Sequence, residues 1–307
     1  MKEEFIVTND ADINKRLDKF CSEITPNKFS RAHIQESIKN GKILVNDNIK
    51  KQNYKLRNKD VVSIEHDKIE KIENKIIPEK IKLDIIYEDD YILAINKDYD
   101  MIVHPAGKTT KGTIVNSLMY NYNFTDEFED ETRPGIVHRL DKDTSGILLI
   151  AKSPEIKKIL SQQFKDRVID KYYLAITKGK IRNKKGLINK PLGRNPNQRH
   201  KMTVLGGGKE SITKYKVLKT FKNDYNLIWL KILTGRTHQI RVHLKYLKSP
   251  IIGDNVYNSK TVGEKGANRQ MLHATKISFF HPITNKRMTL IAPLKKDFKS
   301  VIKNLNK

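Results

Sequence analysis

Two stretches of this chain carry side chains whose types could do chemistry. The first is His138-Arg139-Leu140-Asp141-Lys142-Asp143-Thr144-Ser145-Gly146, directly before the apolar run 147–151. Polar groups in a loop anchored by a rigid strand are a common catalytic arrangement. The same residues could equally make a turn held by Asp and Ser side-chain hydrogen bonds. The second is Thr234-Gly235-Arg236-Thr237-His238-Gln239-Ile240-Arg241-Val242-His243. It lies at a strand-to-helix junction, where free backbone N–H groups can receive an anion. Arg241 is one position off the apolar stripe and could turn inward toward a carboxylate; alternatively the helix simply presents its basic residues to solvent. His138, His238, His243 and His273 invite a metal reading, but zinc-protease spacing is absent and His238 and His243 are five apart, which separates them around a helix. No Gly-x-Ser-x-Gly elbow occurs, which disfavours a Ser/His hydrolase. Gly206-Gly207-Gly208 lacks the Lys-Ser/Thr tail of a phosphate loop.

The elements that must position these groups follow from periodicity. Ile13, Leu17, Phe20 and Ile24 predict a helix with Asp12 as N-cap and Pro26 beyond its end. Ser30 is expected to cap a second helix carrying Ile34 and Ile38 and closed by Gly41. Strands are expected at 42–45 and 61–64, with 46–48 as a turn because Asn and Asp tolerate left-handed backbone angles. The segment 67–80 alternates charge with isolated Ile and has a linker composition. A second domain starting near Ile81 shows strand signals at 84–87, 92–96, 147–151, 173–177, 214–217 and 226–234. Ser153-Pro154 opens a helix with an apolar stripe of Ile156, Ile159, Leu160 and Phe164, and another helix is expected over 237–246. The irregular alternation predicts an α+β fold with a mixed sheet.

With 307 residues, of which 37% are hydrophobic and 31% charged, the chain can build a sizeable core. Apolar runs are far too short for a membrane span. The start, Met1-Lys2-Glu3-Glu4, lacks the apolar region of a secretory signal, and the single cysteine, Cys21, excludes an internal disulfide. A cytoplasmic protein is expected. The net charge is +25. A general enrichment in Lys, Asn and Ile inflates that number but does not explain its distribution. Residues 1–80 hold 17 basic and 14 acidic side chains, whereas residues 171–220 hold 14 basic residues and one acid, Glu210. So uneven a window favours a nucleic-acid footprint over an evenly solvated surface.

The stretch HRLDKDTSGILLIAK (138–152) resembles the central motif of the RluA-type pseudouridine synthases, in particular the two-domain RluC- and RluD-like large-subunit ribosomal RNA enzymes. The resemblance covers nearly the whole chain. Residues 13–66 are similar to the S-four-type RNA-binding domain, followed by a linker at 67–80. LDIIYEDDYILAINK, IVHPAG, KYYLAITKG, LTGRTHQIRVHL, GDNVY, LHA and APL then fall in family order over a catalytic domain at 81–307. One departure stands out: the family reads Lys-Pro-x-Gly where this chain has Lys97-Asp98-Tyr99-Asp100, which puts that turn's geometry in question. The resemblance implies the pseudouridine synthase fold: a mixed, mostly antiparallel sheet with flanking helices and a central RNA cleft.

It also implies isomerisation of uridine to pseudouridine in structured RNA, 23S ribosomal RNA or its precursor particles, by a monomer without cofactor or metal. Asp141 matches the essential aspartate, which attacks the ribose or removes a ribose proton. A buried carboxylate needs a nearby cation to stay ionised, and Arg241 matches the family's basic partner. Tyr173 matches the tyrosine that stacks on the flipped base, with a possible role in removing the carbon-5 proton. Arg139 matches the residue that fills the space the base leaves. His138, Arg236, His238 and Gln239 are expected to contact RNA beside it, and Arg31, Lys39 and Lys42 to bind RNA from the N-terminal domain. The rival readings are a non-catalytic RNA-binding or ribosome-assembly factor, which does not need Asp141, Tyr173 and Arg241 intact, and an RNA hydrolase, which the missing metal set disfavours.

Overall fold

The computed structural model describes residues 2–25, 29, 31–65, 76–105, 109–122, 128 and 133–307. They fall into two compact units, within 1–75 and 76–307.

The first unit contains β1 (Lys2–Ile6), α1 (Leu17–Ile24), α2 (Arg31–Lys39), β2 (Ile43–Val45) and β3 (Val61–Glu65). Its sheet runs β1-β3-β2, all antiparallel. The two helices pack on it through Leu17, Phe20, Ile34 and Ile38, against Val45, Leu56 and Val62. The unit therefore starts before residue 13, because β1 pairs along β3. The first helix is also shorter than its apolar spacing predicts. Asn14 takes a left-handed φ of 64° and its N–H bonds Leu56 O. The chain thus turns before Leu17, Asp12 caps nothing, and Ile13 packs on the core from a loop. Ser30, the expected cap of α2, lies outside the described residues. The expected turn at 46–48 forms, with Asn46 and Asp47 both at positive φ.

The second unit follows as β4 (Ile85–Glu88), β5 (Ile92–Lys97), α3 (Ile114–Tyr122), β6 (Ser145–Ala151), α4 (Pro154–Lys165), β7 (Asp170–Lys178), β8 (Lys185–Asn189), β9 (Leu192–Arg194), β10 (Met202–Val204), β11 (Ile212–Thr220), β12 (Tyr225–Ile232), α5 (Gln239–Tyr246), β13 (Leu272–Phe280), β14 (Arg287–Ile291) and α6 (Lys296–Leu305). Residues 76–80, expected in the linker, belong to it: Glu79 N–H bonds Asn116 O, and the Asn116 amide returns a bond to Ile77 O. One large sheet runs β4-β5-β6-β13-β7-β12-β11-β8, with β14 beside β13, and β9 and β10 form a separate hairpin. All its pairings are antiparallel except β6 with β13. This is the mixed, mostly antiparallel α+β fold.

Patterning explains the layers. Every residue of β5 and β6 is buried, as expected for strands covered on both faces. β11 alternates instead, with Thr213, Tyr215 and Val217 inward and Lys214 and Lys216 outward. α4 starts as its sequence predicts: Ser153 accepts from Ile156 N–H and Pro154 occupies the first turn. Strand β13, the helices α3 and α6, and the strands β1, β8, β9, β10 and β14 were not anticipated. For α6 the signal was present, since Phe298, Val301 and Leu305 fall on one buried face. No helix among the described residues is long and apolar enough to cross a membrane.

Candidate active site

Asp141 lies at the foot of the loop that enters β6. That loop is locked by groups the motif itself supplies. Thr144 Oγ1 accepts from the Gln270 amide at 2.7 Å. Arg269 donates to Ser145 Oγ and to the Asp143 carbonyl, both at 3.0 Å, while Asp297 holds its other edge. Ser145 Oγ also meets His273 Nδ1 at 2.9 Å, and His273 Nε2 faces Ala292 O. Burial pushes the His273 pKa down to about 4, so the ring is neutral: Nε2 donates to the carbonyl and Nδ1 accepts from the serine. Gly146 is required by a close approach. Its φ is +114°, and a Cβ there would stand 2.2 Å from Ala274 O on the parallel strand β13.

The turn that departs from Lys-Pro-x-Gly still forms. Asp100 takes the left-handed φ of 59° itself, and its carboxylate pairs with Lys142 at 2.7 Å. The buried Lys97 ammonium donates to the carbonyls of Asp98, Met101 and Lys142 at 2.7, 2.8 and 2.9 Å. Three donors meet three acceptors, and one of them belongs to the residue after Asp141. Burial, partly opposed by Asp143, lowers the Lys97 pKa to about 7.

Arg241 reaches Asp141 from α5, one hundred residues along the chain. Its Nη1 donates to Asp141 Oδ2 at 2.9 Å. Nε and Nη2 grip both oxygens of Asp254 at 2.7 and 2.9 Å, and Asp254 also accepts the backbone N–H groups of Val256 and Tyr257. The guanidinium and Asp254 are 5% and 1% exposed, Asp141 23%. One carboxylate thus orients the arginine and the other stands open to the cleft. Burial alone would lower the Arg241 pKa, but the bonds and charges of Asp254 and Asp141 outweigh it and raise it, so the cation is permanent.

His238 stands beside this pair. It takes a left-handed φ of 56°, which is why α5 begins at Gln239 rather than at Thr237. Its Nδ1 lies 2.8 Å from Tyr257 Oη, which itself accepts from Met202 N–H. Its Nε2 is 3.8 Å from Asp141 Oδ2. Burial lowers its pKa against the opposing pull of Asp141. Tyr173 lines the same cleft from β7. Burial, then the Asp141 charge, raise its pKa, so the phenol stays protonated and can donate or relay a proton but not act as a standing base.

The cleft has a volume of about 480 Å³ and is walled by Leu140, Phe164, Tyr173, Ile232 and Leu272, with Arg139, Lys165, Lys171 and Arg236 among its polar lining. Arg139 is exposed at its mouth. Two expected RNA contacts are instead engaged within the protein. His138 Nε2 accepts from Leu149 N–H at 2.9 Å and its ring stacks on Phe164; burial and the Lys171 charge lower its pKa to about 3. Gln239, 3% exposed, accepts from Thr234 Oγ1 and Arg236 N–H and donates to Ile212 O and Thr213 Oγ1. That saturates an amide, so Gln239 shapes the turn rather than reaching a substrate. His243 is likewise held between Thr213 Oγ1 and Lys190 O. In the first unit Lys39 is exposed and Lys42 half-buried; the Arg31 side chain is outside the described residues.

Sequence reasoning missed Asp254, Tyr257, Arg269 and Lys97. Asp254 and Tyr257 lie in the GDNVY motif, and Asp254 could have been suspected as the acid that a buried Arg241 requires.

Residues 91–246 match the RNA pseudouridylate synthase family and residues 15–62 the S4 domain. An uncharacterized RNA pseudouridine synthase of Bacillus subtilis is 38% identical, with 98% of each chain covered. A ribosomal large subunit pseudouridine synthase D of Vibrio parahaemolyticus is 34% identical, covering 100% of this chain and 97% of that one. Among solved structures, the human RNA pseudouridylate synthase domain containing 4 superposes with a TM-score of 0.58 at 25% identity, over 73% of this chain and 93% of that one. An arginine-clamped aspartate in a basic cleft, and likeness along the full length, lead to one assignment: this chain belongs to the RNA pseudouridylate synthase family.

Proposed function

We propose that the protein isomerises uridine to pseudouridine in large-subunit ribosomal RNA, and that Asp141 carries the chemistry. The observation behind this reading is the Asp141–Arg241 contact at 2.9 Å inside the cleft, with Arg241 fixed from behind by Asp254. The RNA class follows from relatives named ribosomal large subunit pseudouridine synthase D that match this chain over its full length.

The reaction breaks the bond from ribose carbon 1 to base nitrogen 1, turns the base and joins carbon 1 to carbon 5. Carbon 5 gives up its proton and nitrogen 1 takes one, so no atom is gained or lost. Attack on the ribose and removal of a ribose proton both need a carboxylate beside that sugar, and Arg241 places a fixed positive charge against it. A cleft of about 480 Å³ is on the scale of a single nucleotide, which supports a uridine flipped out of its stack. Arg139, exposed and among the cleft-lining residues, fills the vacancy in this reading. The Tyr173 ring offers a face for the base, and its protonated hydroxyl can relay the carbon-5 proton. Lys39 and Lys42 add RNA contacts from the N-terminal unit.

The test is Asp141→Ala, followed by tritium release from carbon-5-labelled uridine in ribosomal RNA and by filter binding. Isomerisation should vanish while affinity stays within a few fold, because binding is carried by Lys and Arg. Appreciable turnover by the variant removes Asp141 from the role.

A further inference from the structure

Strand β7 sorts its side chains by alternation. Lys171 and Tyr173 line the cleft. Asp170 and Tyr172 take the other face, where Lys231 and Arg287 hold the Asp170 carboxylate. The acid next in sequence is therefore turned away from Lys171. The Lys171 ammonium lies over the Phe164 ring, 5.3 Å from its centroid, and Phe164 stacks on neutral His138. Neither group neutralises a cation. Asp141 is the acid among the cleft-lining residues and is held by Arg241. Among the described residues no carboxylate pairs with Lys171. Lys171 is half-buried; a cation partly withdrawn from water without a counter-charge is unfavourable in the free protein, and such a group in a cleft marks a functional position.

We propose that Lys171 is a phosphate subsite, its ammonium taking a backbone phosphate that flanks the uridine held over Asp141. This rests on the RNA-modifying reading above and names the part of the substrate gripped at depth. The phosphate is the only fully charged group RNA offers. A charged acceptor compensates an ammonium about twice as well as a base carbonyl.

A proton linkage follows. Burial brings the Lys171 pKa down to about 8, and a phosphate beside it raises the value again. Affinity contributed by Lys171 is therefore complete below about pH 8 and is lost as pH rises beyond it. The other charged or titratable groups lining the cleft are His138, Arg139 and Asp141 from the loop before β6, Lys165 and Arg167 from the end of α4, Arg236 and His238 from the turn before α5, Arg241 in α5, and Tyr173 on its own strand. Arg167 is held by Glu210. His138 titrates far below this window, and Tyr173 is shifted upward away from it.

The experiment uses the full chain and a ribosomal RNA hairpin with a uridine that the wild type isomerises, made with ordinary linkages or with one uncharged methylphosphonate on either side of that uridine. Lys171→Met should weaken binding about 10- to 100-fold, the worth of one charge-assisted hydrogen bond. It should reduce the log–log salt slope by about 0.7–0.9 and abolish the affinity loss above about pH 8. Lys171→Arg should restore most of the binding. A methylphosphonate on one side should weaken the wild type and leave Lys171→Met nearly unaffected. Because the ammonium is uncompensated in the free protein, Lys171→Met should melt at or above the wild-type temperature. Wild-type affinity and pH profile in Lys171→Met, additive losses with methylphosphonate at both positions, or a lowered melting temperature each overturn the subsite. If the wild type isomerises no uridine in any ribosomal RNA, the activity itself falls; if it does so and Asp141→Ala does not, a wild-type-like Lys171→Met removes the subsite alone.

Discussion

At the scale of single residues, the site depends on how one guanidinium divides its donors. Asp254 takes two of the three Arg241 nitrogens and leaves the third for Asp141. An arginine is suited to this because its planar fork meets a carboxylate with two parallel bonds. Asp254→Asn keeps the size and removes the charge and one acceptor. It should cost about 3–5 kcal/mol of stability, as expected when a buried ion pair is broken. Turnover should fall more than tenfold, with RNA affinity little changed, because Asp254 lies behind Arg241. Chemical denaturation and single-turnover kinetics check the two effects separately. A variant of wild-type stability and rate would remove Asp254 from the positioning role.

At the scale of elements, the seam between β6 and β13 determines where Asp141 stands. Most neighbours in this sheet are antiparallel, and this parallel pairing is short, joining His273 with Ser145 and Ala274 with Gly146. The backbones approach so closely there that no side chain fits at 146. Gly146→Ala should therefore cost about 2–4 kcal/mol from overpacking and a disfavoured φ. It should reduce activity in step, since the strand start carries the loop that holds Asp141. Thermal melting reads this directly, and an unchanged midpoint would mean that the seam yields to accommodate a methyl group. The same logic of close fit accounts for the turn at 97–100, where Asp100 adopts the angle a glycine would take and Lys97 gathers three carbonyls.

At the scale of the whole molecule, charge is distributed unevenly between the two units. The first 80 residues are close to neutral, and the basic excess sits in the larger unit, densest over 171–220. Lys184, Lys185 and Arg194 are all exposed there. Neutralising all three should flatten the log–log dependence of RNA affinity on salt by about 0.7–0.9 for each phosphate that no longer meets a cation, leaving the rate on bound RNA largely intact. Binding isotherms at several salt concentrations measure the slope, and an unchanged slope would move the footprint to another surface.

Local sequence alone specified a good deal of this protein. The unbroken apolar run of β6, the Ser-Pro opening of α4 and the alternation in β11 are short-range signals, and each element forms where those signals place it. The two polar stretches around Asp141 and Arg241 were also legible as candidates, although their residue types alone allowed a plain turn and a solvent-facing helix. Tertiary structure decided the rest. Asp141 and Arg241 are one hundred residues apart, and no periodicity states that they meet. His138 and Gln239 look like substrate contacts in sequence, yet packing turns His138 Nε2 onto Leu149 and the Gln239 amide onto the Thr234 turn. Lys171 reads as one more surface lysine until the fold puts Asp170 on the opposite face of β7 and leaves the ammonium in the cleft without a counter-charge. The physical reason is common to all three: a local pattern reports which face a side chain takes, whereas its partner is set by strands and helices brought together from far along the chain.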